Sequence, residues 1–346
     1  MRFSIQFPTI AAMLVLRLSA AAEITTGEVS SSLPVLKEGS VFDARDTLDC
    51  GAESSADAAD CLAGLRWKPA PFTVRCEPAE NGQGDWLMRF PSPLPSGDAT
   101  NDLCAMEWYV ARDKDGQPMR APAVVIVHES GRGMVAGRIF ATGLKAQGLH
   151  TFLVQLPGYG ARTSAFTADI QRMLPGLQQA VADVRRARDA VAALPFIDTS
   201  LIALQGTSLG GFVTATVAGL DHGYNRIFIL LAGGNLADMV LTGERDAAKF
   251  REALTAAGVT EEQIRQFVKV VEPMRLAHRV DAARTWLFSG TEDEVVPPRC
   301  SLAFAKAAGL IDGHHVEMPV GHYTAAIMLP TILQQIGALI RGPAQP

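Results

Sequence analysis

The 346-residue chain is 48% hydrophobic and 19% charged, enough apolar material for a large buried core and too much for a disordered chain. Its net charge of -5 and pI near 5.8 argue against electrostatic binding to nucleic acid, which needs clustered Lys and Arg to displace counterions. The length suits one large domain, or a domain with an added segment.

Arg2, the mostly apolar run Phe7–Leu18 and the small residues Ala20-Ala21-Ala22 fit a secretory signal cut near Ala22, although Arg17 interrupts the run. The run is short for a membrane span, and no later segment stays apolar for about 20 residues, so no stable membrane insertion is expected after cleavage. The expected location is outside the cell or in the periplasm. Residues 23–71 show little periodicity and read as an irregular N-terminal extension. Cys50, Cys61, Cys76 and Cys104 lie in or near it. In an exported chain four cysteines suggest two disulfides, with three possible pairings; the sequential one, Cys50–Cys61 and Cys76–Cys104, is preferred here. Cys300 stands alone and reads as a buried free thiol. No Cys/His spacing suggests zinc, and neither a metal nor an organic cofactor is expected.

From residue 72 onward strands and helices are predicted in order. Trp86–Phe90 and Met106–Val110 alternate as half-exposed strands. Ala123–Val127 is continuously apolar, as a strand buried on both faces would be. A helix over 137–147 and a strand over 152–154 follow. Next come a long helix over 167–194, with Ala180, Val184, Ala187 and Val191 on one face, and a strand over 201–204. Pro175 either kinks that helix or marks its start. Strands over 227–231, 285–288 and 315–318 alternate with helical stretches over 236–278, 299–308 and 323–339. Residues 241–271 exceed what a crossover needs and predict a small helical cap, its charges forming a wet face. Alternating strands and helices imply an α/β fold: a mostly parallel sheet flanked by helices, entered through antiparallel strands.

Gly206-Thr207-Ser208-Leu209-Gly210 follows a buried-type strand and opens a helix. A serine exposed on such a turn needs a strained backbone and close passage of the flanking chain, which glycine at 206 and 210 permits. The phosphate-binding glycine patterns are absent. A serine hydroxyl needs a base, and the base an orienting carboxylate, in the chain order Ser, Asp or Glu, His. Gly290–Pro297 follows one buried strand and Gly321-His322 another, the sheet edge where open α/β sheets place their sites. Glu292, Asp293 and Glu294 are the acids there, and Asp238 is a remote alternative. His314 and His315 start the last strand, at the wrong end of the sheet to replace His322. His150, His222 and His278 are read as solvent-facing or locally hydrogen-bonded.

On these residues the stretch from Phe72 to Ile340 resembles the α/β-hydrolases. It is most similar to the dienelactone hydrolase-like and prolyl oligopeptidase-like branch, which includes acetyl esterases. The resemblance implies that Ser208 is the nucleophile, Asp293 the acid (three residues after Gly290 and four before Pro297) and His322 the base. It implies an oxyanion hole built from the Leu209 N–H and an N–H of the His128-Glu129-Ser130-Gly131 loop. Ser130 is the donor by alignment and Glu129 the runner-up, and the loop departs from the family's usual His-Gly. Glu129 either holds the loop or faces substrate. Leu156-Pro157-Gly158-Tyr159-Gly160 resembles the family's P-G-x-G turn, and Tyr159 is a candidate pocket residue.

The expected activity is hydrolysis of a small-molecule or polysaccharide carboxylic ester through an acyl-enzyme. A prolyl oligopeptidase-type peptidase with the same triad ranks second, since neither its double-Glu motif nor a propeller-sized N-terminal domain is seen. A non-catalytic binding module on the same scaffold ranks third. Oligomeric state cannot be read from this sequence.

Overall fold

The structure is a computed structural model describing residues 33–164 and 173–342. The expected signal sequence, residues 23–32 of the extension and residues 167–172 of the expected long helix lie outside them. In chain order the strands are β1 (Val41–Arg45), β2 (Pro71–Pro78), β3 (Trp86–Pro91), β4 (Leu103–Tyr109), β5 (Ala121–Val127), β6 (His150–Gln155), β7 (Ile197–Thr207), β8 (Arg226–Leu230), β9 (Thr285–Gly290) and β10 (His315–Met318). The α-helices are α1 (Ala56–Ala63), α2 (Ala99–Asp102), α3 (Val135–Lys145), α4 (Met173–Ala192), α5 (Leu209–Leu220), α6 (Leu236–Thr242), α7 (Asp246–Ala256), α8 (Glu261–Lys269), α9 (Pro298–Ala307) and α10 (Leu329–Arg341).

The strands form one sheet in the order β1-β2-β3-β4-β6-β5-β7-β8-β9-β10. Pairing is antiparallel from β1 through β4 to β6 and parallel from there on. Strand β5 skips a place that β6 then fills, so the chain reverses direction across the sheet beside β5. Open α/β sheets form a crevice at such a switch point. There Val127 of β5 pairs with Gly206 of β7, which sets the loop after β5 beside the turn after β7.

Successive residues of β5 serve different cores. Ala123, Val125 and Val127 face the layer of α1, α4, α5 and α9, whereas Val124 and Ile126 face α3 and α10. Both faces are therefore covered, which is why β5 reads as an unbroken apolar run. The expected face of α4 is buried at Ala180, Val184, Ala187 and Val191, and Pro175 lies two residues after the first described residue of that helix. Helices α6, α7 and α8 lie between β8 and β9, and α7 and α8 fall within the 241–271 segment expected to form a cap. Thr324–Arg341 is apolar and long enough, by length and composition alone, to cross a membrane. It nevertheless buries Ile332, Ile336 and Ile340 as one stripe against the core.

Two expectations about the N-terminal region need correction. Its described part is not irregular: β1 pairs with β2 as the sheet's outer strand, and α1 packs Ala58, Cys61 and Leu62 inward. Its cysteines are not bridged either, for Cys50, Cys61, Cys76 and Cys104 are all free thiols. Cys76 lies opposite Met88 of β3, and Cys104 opposite Phe90 on the other side of β3. A whole strand separates them, roughly 10 Å, beyond the ~7 Å between Cα atoms that a disulfide spans. Cys61 directs its thiol at the Val270 carbonyl, 3.6 Å away. Charge does the clamping instead. Asp46 takes both arms of the Arg186 guanidinium at 2.5 and 2.8 Å, Thr47 donates to Asp189 at 2.6 Å, and Glu53 accepts from Arg279 at 2.7 Å. Cys300 is buried as expected, its thiol pushed up to about 12 by burial and by nearby Asp238.

Candidate active site

Ser208 sits between β7 and α5 with φ 53° and ψ -115°, a conformation that L-residues rarely adopt. The glycines explain how the chain tolerates this turn. A Cβ on Gly206 would lie 2.2 Å from the Gly210 carbonyl oxygen and 2.2 Å from Thr214 Oγ1. A Cβ on Gly210 would lie 2.2 Å from the Val127 carbonyl oxygen. The Ser208 N–H is tied to the Leu230 carbonyl at 2.9 Å, which holds the elbow against β8.

His322 Nε2 lies 2.9 Å from Ser208 Oγ, and His322 Nδ1 lies 2.7 Å from Asp293 Oδ2. Asp293 is buried, and its other oxygen accepts from the N–H groups of Val295 and Val296 at 2.9 and 2.8 Å. The carboxylate therefore accepts a hydrogen bond from Nδ1–H, which keeps the proton on Nδ1 and leaves Nε2 free to accept from the serine hydroxyl. Of the rival acids, Glu292 and Glu294 are exposed, and Glu294 pairs with Arg245. Asp238 binds Arg299. His315 hydrogen-bonds Ser289, and His314 lies 3.0 Å from the Ala282 carbonyl oxygen.

The loop after β5 is held by three side chains, of which only Glu129 was read from sequence as a possible loop anchor. His128 Nδ1 donates to the Glu129 carbonyl at 2.6 Å, while its Nε2 accepts from the Leu156 N–H at 3.1 Å. In a trans peptide the N–H points opposite to the C=O, so holding the Glu129 carbonyl fixes the direction of the Ser130 N–H. Tyr159, expected in the pocket, donates its hydroxyl to the Ser130 carbonyl at 2.8 Å and packs its ring 4.4 Å from that of His128. Glu129, expected to face substrate, places its two carboxylate oxygens 3.1 Å from the N–H groups of Ala136 and Gly137. It thereby caps α3, whose N-cap residue Met134 offers no side-chain acceptor. Its charge is thereby placed at a helix N-terminus, where it is favourable.

Buried His128 and His150 make a pH prediction. Burial pushes each imidazole down to about 4. His150 is locked neutral: its Nδ1 accepts from Trp108 and Ala111, both at 3.1 Å, and its Nε2 donates to Met119 O at 2.9 Å. The unfolded chain takes up these protons near pH 6.5, the folded one only near pH 4. Stability is therefore complete above about pH 6.5 and lost as the pH falls towards 4, by an amount on the order of a few kcal/mol. Urea unfolding between pH 7 and 4 should show this; a flat profile for His128→Asn/His150→Asn beside a sloping wild type would assign it.

The family profile of the prolyl oligopeptidase family matches residues 140–321, just over half of the 346-residue chain. The protein belongs to the prolyl oligopeptidase family. The matched span of this prolyl oligopeptidase-family chain holds Ser208 and Asp293 and stops one residue before His322. An uncharacterized protein of Mycobacterium tuberculosis (strain ATCC 25618 / H37Rv) is 24% identical over 231 residues, covering 64% of this chain and 48% of its own length. The chain thus spans about half the length of the curated relatives it matches. The acetyl xylan esterase from Paenibacillus sp. R4 superposes with a TM-score of 0.58 at 16% identity, over 82% of this chain and 92% of that one. A Mycobacterium tuberculosis puromycin-hydrolyzing peptidase superposes with a TM-score of 0.54 at 15% identity, over 78% of this chain and 46% of that one. At these identities the structures share the α/β-hydrolase fold with this prolyl oligopeptidase-family hydrolase, and that fold hosts both an esterase and a peptidase.

Proposed function

We propose that the protein cleaves carboxylic esters through an acyl-enzyme on Ser208. The observation that carries this reading is the unbroken line from Asp293 through His322 to Ser208, with contacts of 2.7 and 2.9 Å. In this reading Ser208 Oγ attacks the ester carbonyl as its proton passes to His322 Nε2. The oxyanion is met by the N–H groups of Leu209 and Ser130. His322 then protonates the departing alkoxide, leaving the acyl group on Ser208. Water repeats the sequence: His322 takes its proton, the acid leaves, and Ser208 recovers its hydrogen. Asp293 holds the imidazole in the productive tautomer throughout.

The ester reading is preferred to a peptide because the Paenibacillus acetyl xylan esterase superposes over 82% of this chain with a TM-score of 0.58, against 78% and 0.54 for the puromycin-hydrolyzing peptidase. Export after removal of residues 1–22 belongs to the same proposal, and an acetylated polysaccharide or a nutrient ester would then be the substrate. The test compares p-nitrophenyl acetate with aminoacyl and prolyl anilides. Expected is a kcat/KM at least about 100-fold higher on the ester, a gap of ~2.7 kcal/mol in transition-state binding. Faster cleavage of the anilides would replace this reading with a peptidase. A folded protein whose Ser208 takes up no fluorophosphonate would instead be a non-catalytic binding module.

A further inference from the structure

The cap meets the triad at one turn, between α6 and α7. Glu244 donates its N–H to the Glu294 carbonyl at 2.7 Å, and the Arg245 guanidinium pairs with the Glu294 carboxylate. Asp246 accepts from the Tyr323 hydroxyl at 2.6 Å. Glu294 directly follows the acid and Tyr323 directly follows the base. The Tyr323 ring also stands edge-on to the imidazole of His322, with centroids 5.6 Å apart and planes at 82°. Three consecutive cap residues therefore grip the positions next to both loop-borne members of the triad.

Stability does not account for this arrangement. The Arg245–Glu294 side chains are 57% and 50% exposed and that of Asp246 is 49% exposed, and such exposed pairs contribute little to folding. The turn also carries a conformational cost, because Arg245 has φ 51° and ψ -113°, nearly the geometry of Ser208 itself. Strained backbone held by contacts to a reactive site is a functional signature. His322 needs such support, for it lies in the loop beyond β10 and, among the described residues, its Nδ1 is held by Asp293 alone.

We propose that Tyr323 and Asp246 are positioning residues: their hydrogen bond ties the cap to the loop of His322 and sets the imidazole's orientation towards Ser208. This rests on the ester-hydrolase reading above. Neither residue needs to touch the substrate, so the effect falls on kcat. Misplacing a catalytic group by about 1 Å can cost about 100-fold, and loss of one of two tethers should cost about 5- to 20-fold.

The experiment measures kcat and KM with p-nitrophenyl acetate, and the rate of fluorophosphonate labelling, for the full chain and its variants. Tyr323→Phe keeps the ring edge against His322 and loses only the tether. It should lower kcat and the labelling rate about 5- to 20-fold, with KM within about twofold. Asp246→Ala should match it, and the double variant should be no worse than either single, since both remove one interaction. Asp246→Asn retains an acceptor for the hydroxyl and should recover most of what Asp246→Ala loses. Full kcat in Tyr323→Phe, multiplying losses in the double variant, or no recovery with Asn would each overturn the positioning role while leaving the hydrolase reading intact. Wild-type protein that neither turns over the ester nor labels would defeat the hydrolase reading, and this inference with it.

Discussion

Ser208→Ala should lower kcat/KM on a short-chain nitrophenyl ester by about 10⁴- to 10⁶-fold, and Asp293→Asn should lower kcat by about 10⁴-fold with the fold intact. The two losses have different origins. Alanine removes the atom that bonds the acyl group, so only binding and oxyanion stabilisation remain. Asparagine keeps the shape but reverses a proton. The Oδ1 of Asp293 is committed to the N–H groups of Val295 and Val296, so an amide there must turn its NH₂ towards His322 Nδ1. The imidazole then carries its proton on Nε2, facing Ser208, and cannot accept the serine's. A double variant should lose little more than Ser208→Ala, because the three side chains act as a unit. Ester turnover in Ser208→Ala above about 1% of wild type would show that the nucleophile lies elsewhere.

Asp183→Ala should destabilise the protein by about 3–5 kcal/mol, the cost of stranding a buried charge. Arg162 and Asp183 are both fully buried and meet at 2.7 Å. Arg162 also donates to the carbonyls of Asn101 and Gln155 at 2.8 and 3.0 Å, and Ser92 donates to the other oxygen of Asp183 at 2.6 Å. Without Asp183 the guanidinium keeps two neutral acceptors and no carboxylate bonded to it. The double variant Arg162→Leu/Asp183→Leu removes both charges and should recover much of the loss in urea denaturation. A single variant within about 1 kcal/mol of wild type would mean that water reaches the guanidinium, contrary to its burial. The site should register the change as well, since Asn101 binds the Gly158 N–H at 3.2 Å and Gly158 precedes Tyr159, which holds the Ser130 carbonyl.

Much of this molecule was legible in its sequence where the constraint is local. Ala123–Val127 had to be a strand covered on both faces, because no half-exposed strand is continuously apolar. Gly206 and Gly210 bracket Ser208 because a side chain at either would strike backbone a few residues away or on the next strand. The acidic segment 292–294 and His322 follow strand ends, which placed both at the edge of the sheet where Ser208 lies. The order of elements, Ser208 and His322 follow from such short-range rules, and the family resemblance chose Asp293 among the three acids.

What the tertiary structure alone decided depends on neighbours far apart in the chain. Spacing made Cys76 and Cys104 look like partners, but β3 runs between them, and only strand order reveals an intervening strand. Glu129 could hold the loop or face substrate until α3, beginning six residues later, aimed its N–H groups at the carboxylate. Tyr323 and Asp246 are 77 residues apart, and no periodicity connects them. The sequence by itself determined Ser208, His322 and the acidic segment 292–294, since each follows the end of its own strand, and the family resemblance singled out Asp293 within that segment. The tertiary structure decided what holds these residues in place, since a hydrogen bond across loops depends on how the whole sheet folds.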